Sequence, residues 1–397
     1  MFSIPAKSWL SFYFITFFFS WGVFLPFWGI WLESKGVSAG DIGLLFSVGL
    51  VLRFASNLGV LPRVSSGSGI LRLLRILGFL TLLAFACLFY LQGDLWLAII
   101  TLAVNFLMAP LTPLGDIIGT RLVQQINLDY GRVRFWGSLS FIGGSTCVGW
   151  LIADYGKQAI LWTIIGATLL MWLLSLLHLS PKLHDEEAVA EDSKQSLFSL
   201  LKKPNVLIFI IIIGAIQGSH GAYYAFGSIY WGREGISEVS IAWLWAIAVF
   251  AEVLLMRFNS KLFSRWSIKQ MFILGLSASI LRWILLAVTT DVYVLGLSQT
   301  LHAFTFAVTH LATLRYISLQ KTSDMVRYQS LYSGVALGLI MALFTYISGE
   351  LFESLQGDVF LIMSALLLPI FWCIKIWKVE NTADQVLLTA DMVAGEA

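Results

Sequence analysis

The sequence predicts an all-α polytopic membrane protein with twelve transmembrane helices in two pseudo-symmetric six-helix halves. Three observations support this fold class: the composition, the spacing of the apolar stretches and a repeat between the halves. The chain has 397 residues, of which 58% are hydrophobic and 12% are charged, and its mean hydropathy is +0.83. Soluble domains carry about 25% charged residues, so this composition excludes a soluble globular protein.

Twelve apolar stretches are long enough to cross a bilayer as helices. At about 1.5 Å per residue, roughly 20 residues cover the hydrocarbon core of about 30 Å. We number the stretches as spans 1 to 12 along the chain. They cover residues 9–32, 38–61, 73–92, 94–120, 134–153, 158–179, 205–231, 237–258, 268–289, 292–314, 329–351 and 358–377.

A polar segment at mid-chain, SPKLHDEEAVAEDSKQSLFSLLKKP, separates the sixth stretch from the seventh. Most other connections are short, so we interpret this segment as a linker between two halves. The predicted units are an N-terminal six-helix half at 1–180, a cytoplasmic linker at 181–203, a C-terminal six-helix half at 204–378 and a cytoplasmic tail at 379–397.

Lys and Arg residues alternate between the two sides of this layout. With the N-terminus placed inside, the inner segments and the adjoining ends of the spans contain 20 of the 25 Lys and Arg residues, the outer segments contain 3, and 2 lie deep within spans. This distribution follows the positive-inside rule. We therefore expect a multi-pass protein of the cytoplasmic membrane with both termini in the cytoplasm.

The two halves repeat at nearly constant offsets. A shift of 199 positions aligns Gly36-Val37-Ser38 with Gly235-Ile236-Ser237, and it aligns Arg53 with Glu252. A shift of 194 positions aligns polar residues of span 4 with those of span 10. Transporters built from such parallel repeats bind their substrates between the halves, near the middle of the membrane.

Spans 8 and 2 each carry one charged residue deep in an apolar run, Glu252 and Arg53. A charge within a span is costly, so each asks for a partner or a function. A low-dielectric environment favours the protonated form of a carboxyl group, and Glu252 is therefore a candidate proton carrier. Arg53 can neutralise Glu252 or bind a substrate carboxylate through its planar guanidinium group. A purely structural ion pair is the alternative.

Spans 9 and 10 add a second set of polar candidates. Arg282 lies within span 9, where a structural salt bridge and a role in proton coupling are both open. Gln299, His302 and His310 lie near one face of span 10. We predict proton coupling for the two histidines and substrate contact for Gln299. A hydrogen-bonded core role is the alternative for each histidine.

Further substrate contacts are predicted in spans 1, 4 and 7. Gln217, His220 and Tyr224 form a polar stripe at helical spacing in span 7, so this side faces protein or water.

Asn105 is a polar candidate in span 4, where Pro110 and Pro113 interrupt the helix. Span 1 is rich in aromatic residues, and Trp28 is our candidate for the wall of a slot for a flat ring. Interfacial anchoring is the alternative.

Gating residues are predicted where the chain enters span 5. The segment DYGRVRFWGS contains Asp129, Arg132 and Arg134, and Asp116 lies at the end of span 4. The arginines either follow the positive-inside rule or form gating pairs with these acids.

The sequence contains no signature of an enzyme. Phosphate-binding loops, HExxH and GxSxG are all missing from it. Cys87, Cys147 and Cys373 lack CxxC spacing, which favours packing roles over a disulfide framework or a metal site. We predict no cofactor and no metal, and the dispersed charge argues against a nucleic-acid partner.

Four segments resemble one transporter family. They are YFITFFFSWGVFLPFWGIWLESKGVSAGDIGLL, DYGRVRFWGS, QGSHGAYYAFGSIYW and QTLHAFTFAVTHLATLRYIS. These segments resemble the 3-phenylpropionate transporter-like branch of the major facilitator superfamily, which is distantly similar to lactose permease and nucleoside:proton symporters. The resemblance covers almost the whole chain outside the linker and the tail. One departure is the loop GVLPRVSSGSGILRLLR between spans 2 and 3, which lacks the acid of the family's loop.

The resemblance implies a symporter that takes up an aromatic monocarboxylate such as 3-phenylpropionate with a proton, by alternating access across the bacterial inner membrane. We also expect a monomer. Lactose permease similarly keeps an acid in span 8, an arginine in span 9 and a histidine in span 10, which correspond here to Glu252, Arg282 and His302. Symport of a neutral sugar or nucleoside, and export by the same fold, are the alternatives. A membrane receptor would need a soluble signalling domain.

Overall fold

The structure is a computed structural model that describes residues 3–64, 66–91, 93–184 and 197–379. Within these residues twelve helices correspond one to one with the predicted spans, so the all-helical fold class is confirmed. Their bounds are Ala6–Ser34, Ala39–Arg63, Gly67–Cys87, Asp94–Ile126, Tyr130–Tyr155, Ala159–Ser175, Pro204–Arg233, Glu238–Phe263, Ile268–Val288, Val292–Ser318, Asp324–Leu355 and Asp358–Ile376.

Eleven of these helices in the described part of the chain are long and apolar enough to cross a membrane. The twelfth is span 6, Ala159–Ser175, which has 17 residues. At about 1.5 Å per residue this helix is about 26 Å long, just short of a hydrocarbon core of about 30 Å. Leu176 and Leu177 extend it by hydrogen bonds to the carbonyls three residues earlier.

The starts of spans 2 and 8 show the repeat in the backbone. Gly36 and Gly235 have positive φ angles of 91° and 81°, which a residue without a Cβ adopts without strain. Two residues later Ser38 and Ser237 cap the helices. Each hydroxyl accepts a hydrogen bond from the backbone N–H three residues on, at 3.1 and 3.2 Å. The Gly-x-Ser pattern at the 199-residue offset thus has a local structural reason.

Five spans are not continuous α-helices within their length, among them span 12, which breaks at Leu368–Pro369. Span 4 breaks at Ala109–Pro110, as expected where proline removes a backbone N–H. Span 7 is interrupted at Ser219. Spans 10 and 11 contain π-helical segments, Ala303–Val308 and Tyr332–Ile340, which the sequence did not predict. Short π-helical segments often accompany functional sites.

Both ends of the predicted linker have local structure. A parallel two-stranded sheet pairs β1, Ser3–Pro5, with β2, His178–Ser180, and so ties the N-terminus to the end of span 6. A short helix, Leu197–Leu201, precedes span 7. The predicted linker residues 185–196 and the predicted tail from residue 380 onward lie outside the described residues.

The two halves pack tightly at one end of the molecule, which we call the closed end. A Cβ on Gly43 of span 2 would lie 2.6 Å from the Cα of Gly349 in span 11. A Cβ on Gly149 of span 5 would lie 2.7 Å from the Cβ of Ala242 in span 8. Glycine is therefore required at these positions because the helix backbones approach so closely.

Ion pairs join the same end across the halves. Arg233, the last residue of span 7, lies 2.8 Å from a carboxylate oxygen of Glu33 and 3.0 Å from one of Glu353. Glu33 belongs to span 1 and Glu353 to span 11, so one guanidinium bridges both halves. Each exposed ion pair contributes only about 0.2–1 kcal/mol to stability. We therefore attribute most of the stability of the closed end to the close helix packing at the glycines.

Candidate functional site

A cavity of about 780 Å³ lies between the two halves. It reaches Thr345 towards the closed end, and it extends to Leu61 and Ser330 at the opposite ends of spans 2 and 11. A volume of this size accommodates a small molecule. The polar lining consists of Arg53, Asn57, Asn105, Arg134, Ser138, Tyr223, Tyr224, Glu252, His302, Ser330, Ser333 and Thr345.

Equivalent positions of spans 2 and 8 face each other across this cavity. Three pairs separated by 199 residues line it: Phe46 and Trp245, Leu50 and Val249, and Arg53 and Glu252. Their spacings of three to four residues place them on one face of each helix. The offset found in the sequence therefore identifies two opposite walls of one cavity.

Arg53 is half-buried in the wall formed by the N-terminal half. Its guanidinium carbon lies 4.5 Å from the ring centroid of Trp21, which is a cation–π contact. Among the described residues it has no ion-pair partner, so the ion pair with Glu252 that the sequence left open is not formed. The aromatic ring holds the cation in place, while its N–H groups have no acceptor among the described protein groups.

Glu252 lies in the opposite wall, half-buried, with one carboxyl oxygen 3.5 Å from Nε2 of His302. Nδ1 of the same histidine lies 3.0 Å from Nη1 of Arg282. An arginine N–H can only donate, so Nδ1 accepts and the single ring proton resides on Nε2. Nε2 is the ring nitrogen nearer Glu252, at a separation longer than an ordinary hydrogen bond. The imidazole in this arrangement is neutral.

Arg282 is fully buried behind His302. Its Nη2 donates to the side-chain oxygen of Gln299 at 2.7 Å, and its guanidinium carbon lies 4.5 Å from the ring centroid of Tyr223. No carboxylate forms an ion pair with it in the described part of the chain. A structural salt bridge is thus not observed. Gln299 is used by Arg282 and does not line the cavity, contrary to its predicted contact with substrate.

Two of the three residues in the predicted polar stripe of span 7, Gln217 and His220, face span 10 rather than the cavity. His220 and Gln217 are fully buried. Nε2 of His220 lies 2.9 Å from the hydroxyl of Thr305, and Nε2 of Gln217 donates to the hydroxyl of Thr309 at 2.7 Å. Neither side chain lines the cavity, which corrects the expectation of direct substrate contact. Both hold span 7 against span 10.

Trp28 and His310 also lie away from the cavity lining. The indole N–H of Trp28 donates to the hydroxyl of Thr101 at 3.2 Å within the N-terminal half, so Trp28 does not form a wall for a ligand. Nδ1 of His310 lies 2.8 Å from the hydroxyl of Tyr332, one π-helical segment away from His302. The two histidines predicted to couple protons therefore have different environments.

Of the remaining predicted contacts, Tyr224 and Asn105 line the cavity. The sequence did not single out as site residues the aromatic side chains around them, namely Trp21, Trp245 and Phe306. Trp245 stacks on Tyr223 with ring centroids 4.7 Å apart, and its N–H donates to Ser228 at 2.8 Å. The 199-residue shift could have identified Trp245, because it relates Trp245 to Phe46, and Phe46 lies on the same face of span 2 as Arg53.

The predicted gating acids and arginines interact within the N-terminal half. The hydroxyl of Tyr130 donates to Asp116 at 2.5 Å, and Nε of Arg134 lies 3.7 Å from the same carboxylate oxygen. Asp129 instead caps span 5 by accepting from the backbone N–H of Arg132 at 3.0 Å. Arg132 has no ion pair among the described residues. None of these contacts bridges the two halves in this conformation.

Comparison with known proteins gives a consistent match. A model of the MFS_1 like family matches residues 8–362. The "Probable 3-phenylpropionic acid transporter" of Escherichia coli (strain K12) is 37% identical over 369 residues, which cover 92% of this chain and 96% of that protein. The maltose permease of Geobacillus stearothermophilus is 24% identical over 389 residues, or 94% of this chain and 95% of that protein.

The fold has a match among solved structures. A mutant of the nucleoside transporter NupG superposes with a TM-score of 0.80 at 17% identity, covering 94% of this chain and 100% of that chain. At this identity the likeness concerns the fold alone.

Proposed function

This chain belongs to the MFS_1 like family and is a transporter rather than an enzyme, and on this premise we propose that it takes up an aromatic monocarboxylate such as 3-phenylpropionate together with a proton. The observation that carries the proposal is the arrangement of Arg53 and Glu252. The two residues lie in opposite walls of one cavity, and the guanidinium has no ion pair among the described residues.

The charge of the cavity favours a monovalent anion. Arg53 and Arg134 contribute two cations to the lining and Glu252 one carboxyl group. Arg134 has Asp116 beside it, which leaves Arg53 as the cation without a counter-ion. A carboxylate matches the planar guanidinium group in two parallel hydrogen bonds. A neutral sugar would leave the charge of Arg53 uncompensated.

The apolar lining favours a flat ring next to that carboxylate. Trp21 lies beside Arg53, while Tyr224, Trp245 and Phe306 line the opposite side. Aromatic side chains stack on a planar ring with centroids about 4.5–7 Å apart. A phenyl group held between these walls places its short carboxylate chain towards Arg53.

Proton coupling follows from the environment of Glu252. When its carboxyl group is neutral and substrate neutralises Arg53, both charges that face the cavity are compensated, so the halves can rock around the site. Without substrate, an ionised Glu252 provides the compensating charge for Arg53. His302 carries its ring proton on Nε2, the nitrogen nearer Glu252, with Arg282 fixing this tautomer.

We assign the molecule to the bacterial inner membrane, as a monomer with both termini in the cytoplasm. This orientation rests on the distribution of Lys and Arg. The closed end then faces outward, and the cavity extends towards the cytoplasm. The conformation corresponds to an inward-facing stage of alternating access.

The name of the E. coli relative supports an aromatic acid as the substrate. The second candidate is a neutral sugar, which the maltose permease relative favours. The test is uptake of labelled 3-phenylpropionate, cinnamate, maltose and uridine by cells that express this chain, with and without a proton gradient. Saturable, gradient-dependent uptake of the two acids alone is expected. Uptake of maltose or uridine without the acids would overturn the proposal.

A further inference from the structure

Asn57 is an amide side chain that lines the cavity and has no hydrogen-bond partner among the described residues. Its side-chain oxygen is buried and unpaired. Buried polar groups in proteins are nearly always paired, so an unpaired amide beside a cavity indicates a contact with a ligand or a bridging water.

The local structure fixes the direction of Asn57. The preceding residue, Ser56, is fully buried and donates its hydroxyl proton to the carbonyl of Phe106 in span 4 at 2.7 Å. This contact sets the rotation of span 2. Asn57 follows Arg53 by four residues on the same continuous helix, so the two side chains are neighbours on one face, about 5–6 Å apart at their Cβ atoms.

Other amides near the cavity already have partners. Asn105 donates to the carbonyl of Thr101 at 2.9 Å. Gln217 donates to a threonine hydroxyl at 2.7 Å, and Gln299 accepts from Arg282 at 2.7 Å. Asn57 differs from these three amides because neither of its terminal atoms is used by the described protein groups. It is therefore free to bind substrate.

We infer that Asn57 is a specificity-determining residue that completes a carboxylate subsite with Arg53, its amide N–H donating to the substrate. A carboxylate has about four lone-pair positions, of which a guanidinium fork occupies two. The neighbouring amide occupies a third. Only the oxygen of this amide is fully buried, so its nitrogen is the atom that can reach an anion in the cavity. This inference rests on the proposed function.

The test compares three substitutions at Asn57 by the kinetics of 3-phenylpropionate uptake. Asn57→Ala is expected to raise KM about tenfold with Vmax within about twofold of wild type, the usual effect of removing one hydrogen bond to a charged group. Asn57→Ser restores a donor and recovers part of this loss. Asn57→Asp has nearly the same shape but carries a negative charge beside Arg53, and it is expected to raise KM the most.

A purely structural role reverses this order, because aspartate replaces the shape of asparagine better than alanine or serine does. Ser330→Ala is the matched control, since Ser330 lines the same cavity but its hydroxyl already bonds to the carbonyl of Val326 at 2.9 Å. Its KM is expected to stay within about twofold of wild type. Cell-surface abundance of every variant is measured alongside.

An unchanged KM for Asn57→Ala, or a lower KM for Asn57→Asp than for Asn57→Ala, overturns the role of Asn57 while leaving the proposed substrate intact. If wild-type protein takes up no 3-phenylpropionate, both the proposed function and this inference are overturned.

Discussion

Spans 2 and 8 are two copies of one helix, yet their charged residues have different surroundings. In span 2, Arg53 faces the cavity against the ring of Trp21 and has no ion pair among the described residues. In span 8, Glu252 lies beside His302, which is held in turn by the buried Arg282. The N-terminal copy therefore presents a half-buried guanidinium without an ion pair, and the C-terminal copy presents a carboxyl group beside a network of buried polar side chains.

Under the proposed function, this difference assigns substrate recognition to the N-terminal copy and proton transfer to the C-terminal copy. Substrate recognition needs a group whose hydrogen-bonding capacity is unused, whereas proton transfer needs a group whose neighbours fix its orientation. Each half of the cavity meets one of these requirements. The division predicts that equivalent substitutions in the two copies have different consequences.

The largest effect is expected at Arg53. Arg53→Ala removes the charge-assisted hydrogen bonds that we propose to the substrate carboxylate. Together these bonds contribute about 3–4 kcal/mol, so their loss should lower Vmax/KM for 3-phenylpropionate by a factor of about 100 or more. Arg53→Lys keeps the charge without the planar fork and is the matched variant, with a smaller loss. Uptake kinetics measure both. Wild-type kinetics in Arg53→Ala would show that the carboxylate binds elsewhere.

A smaller effect, on stability, separates Trp245 from its equivalent Phe46. Trp245 is buried, stacks on Tyr223 and bonds to Ser228, whereas Phe46 is half-buried with no ring contact among the described residues. Trp245→Leu should lower the thermal unfolding temperature of purified protein by about 3–8 °C. Phe46→Leu should change it by about 1–2 °C. Equal shifts would mean that the two copies are packed alike.

The smallest effect is expected at His310. Its ring bonds to Tyr332 at 2.8 Å and does not contact the pair formed by Glu252 and His302. His310→Gln keeps a polar partner for that hydroxyl, so we expect gradient-driven uptake within about twofold of wild type. His302→Gln serves as the contrasting variant, with a clearly larger loss. Loss of coupling in His310→Gln would place this histidine on the proton path.

Sequence patterns predicted the helices well because long apolar runs are a local property of the chain. The offset of 199 residues related Arg53 to Glu252, and the structure places both in one cavity. Helical periodicity also identified the polar face of span 7. It did not reveal that this face packs on span 10, because periodicity distinguishes one side of a helix from the other but not a cavity from a neighbouring helix.

Other features depend on tertiary contacts that a sequence does not display. The π-helical segments of spans 10 and 11 contain no proline. Asn57 lies in an apolar stretch as an ordinary polar residue, and only its missing partner in the folded protein distinguishes it. Trp28, by contrast, was selected from the sequence but does not line the cavity. An aromatic-rich span does not indicate which of its rings face a cavity.

In the proposed mechanism Glu252 carries the proton while Arg53 binds the carboxylate. The most direct measurement uses Glu252→Gln in proteoliposomes, which mimics the permanently protonated state. Counterflow exchange of labelled 3-phenylpropionate should persist, because it needs binding and rocking of the halves but no release of the proton. Accumulation driven by a proton gradient should be lost. Normal gradient-driven accumulation by Glu252→Gln would contradict the account.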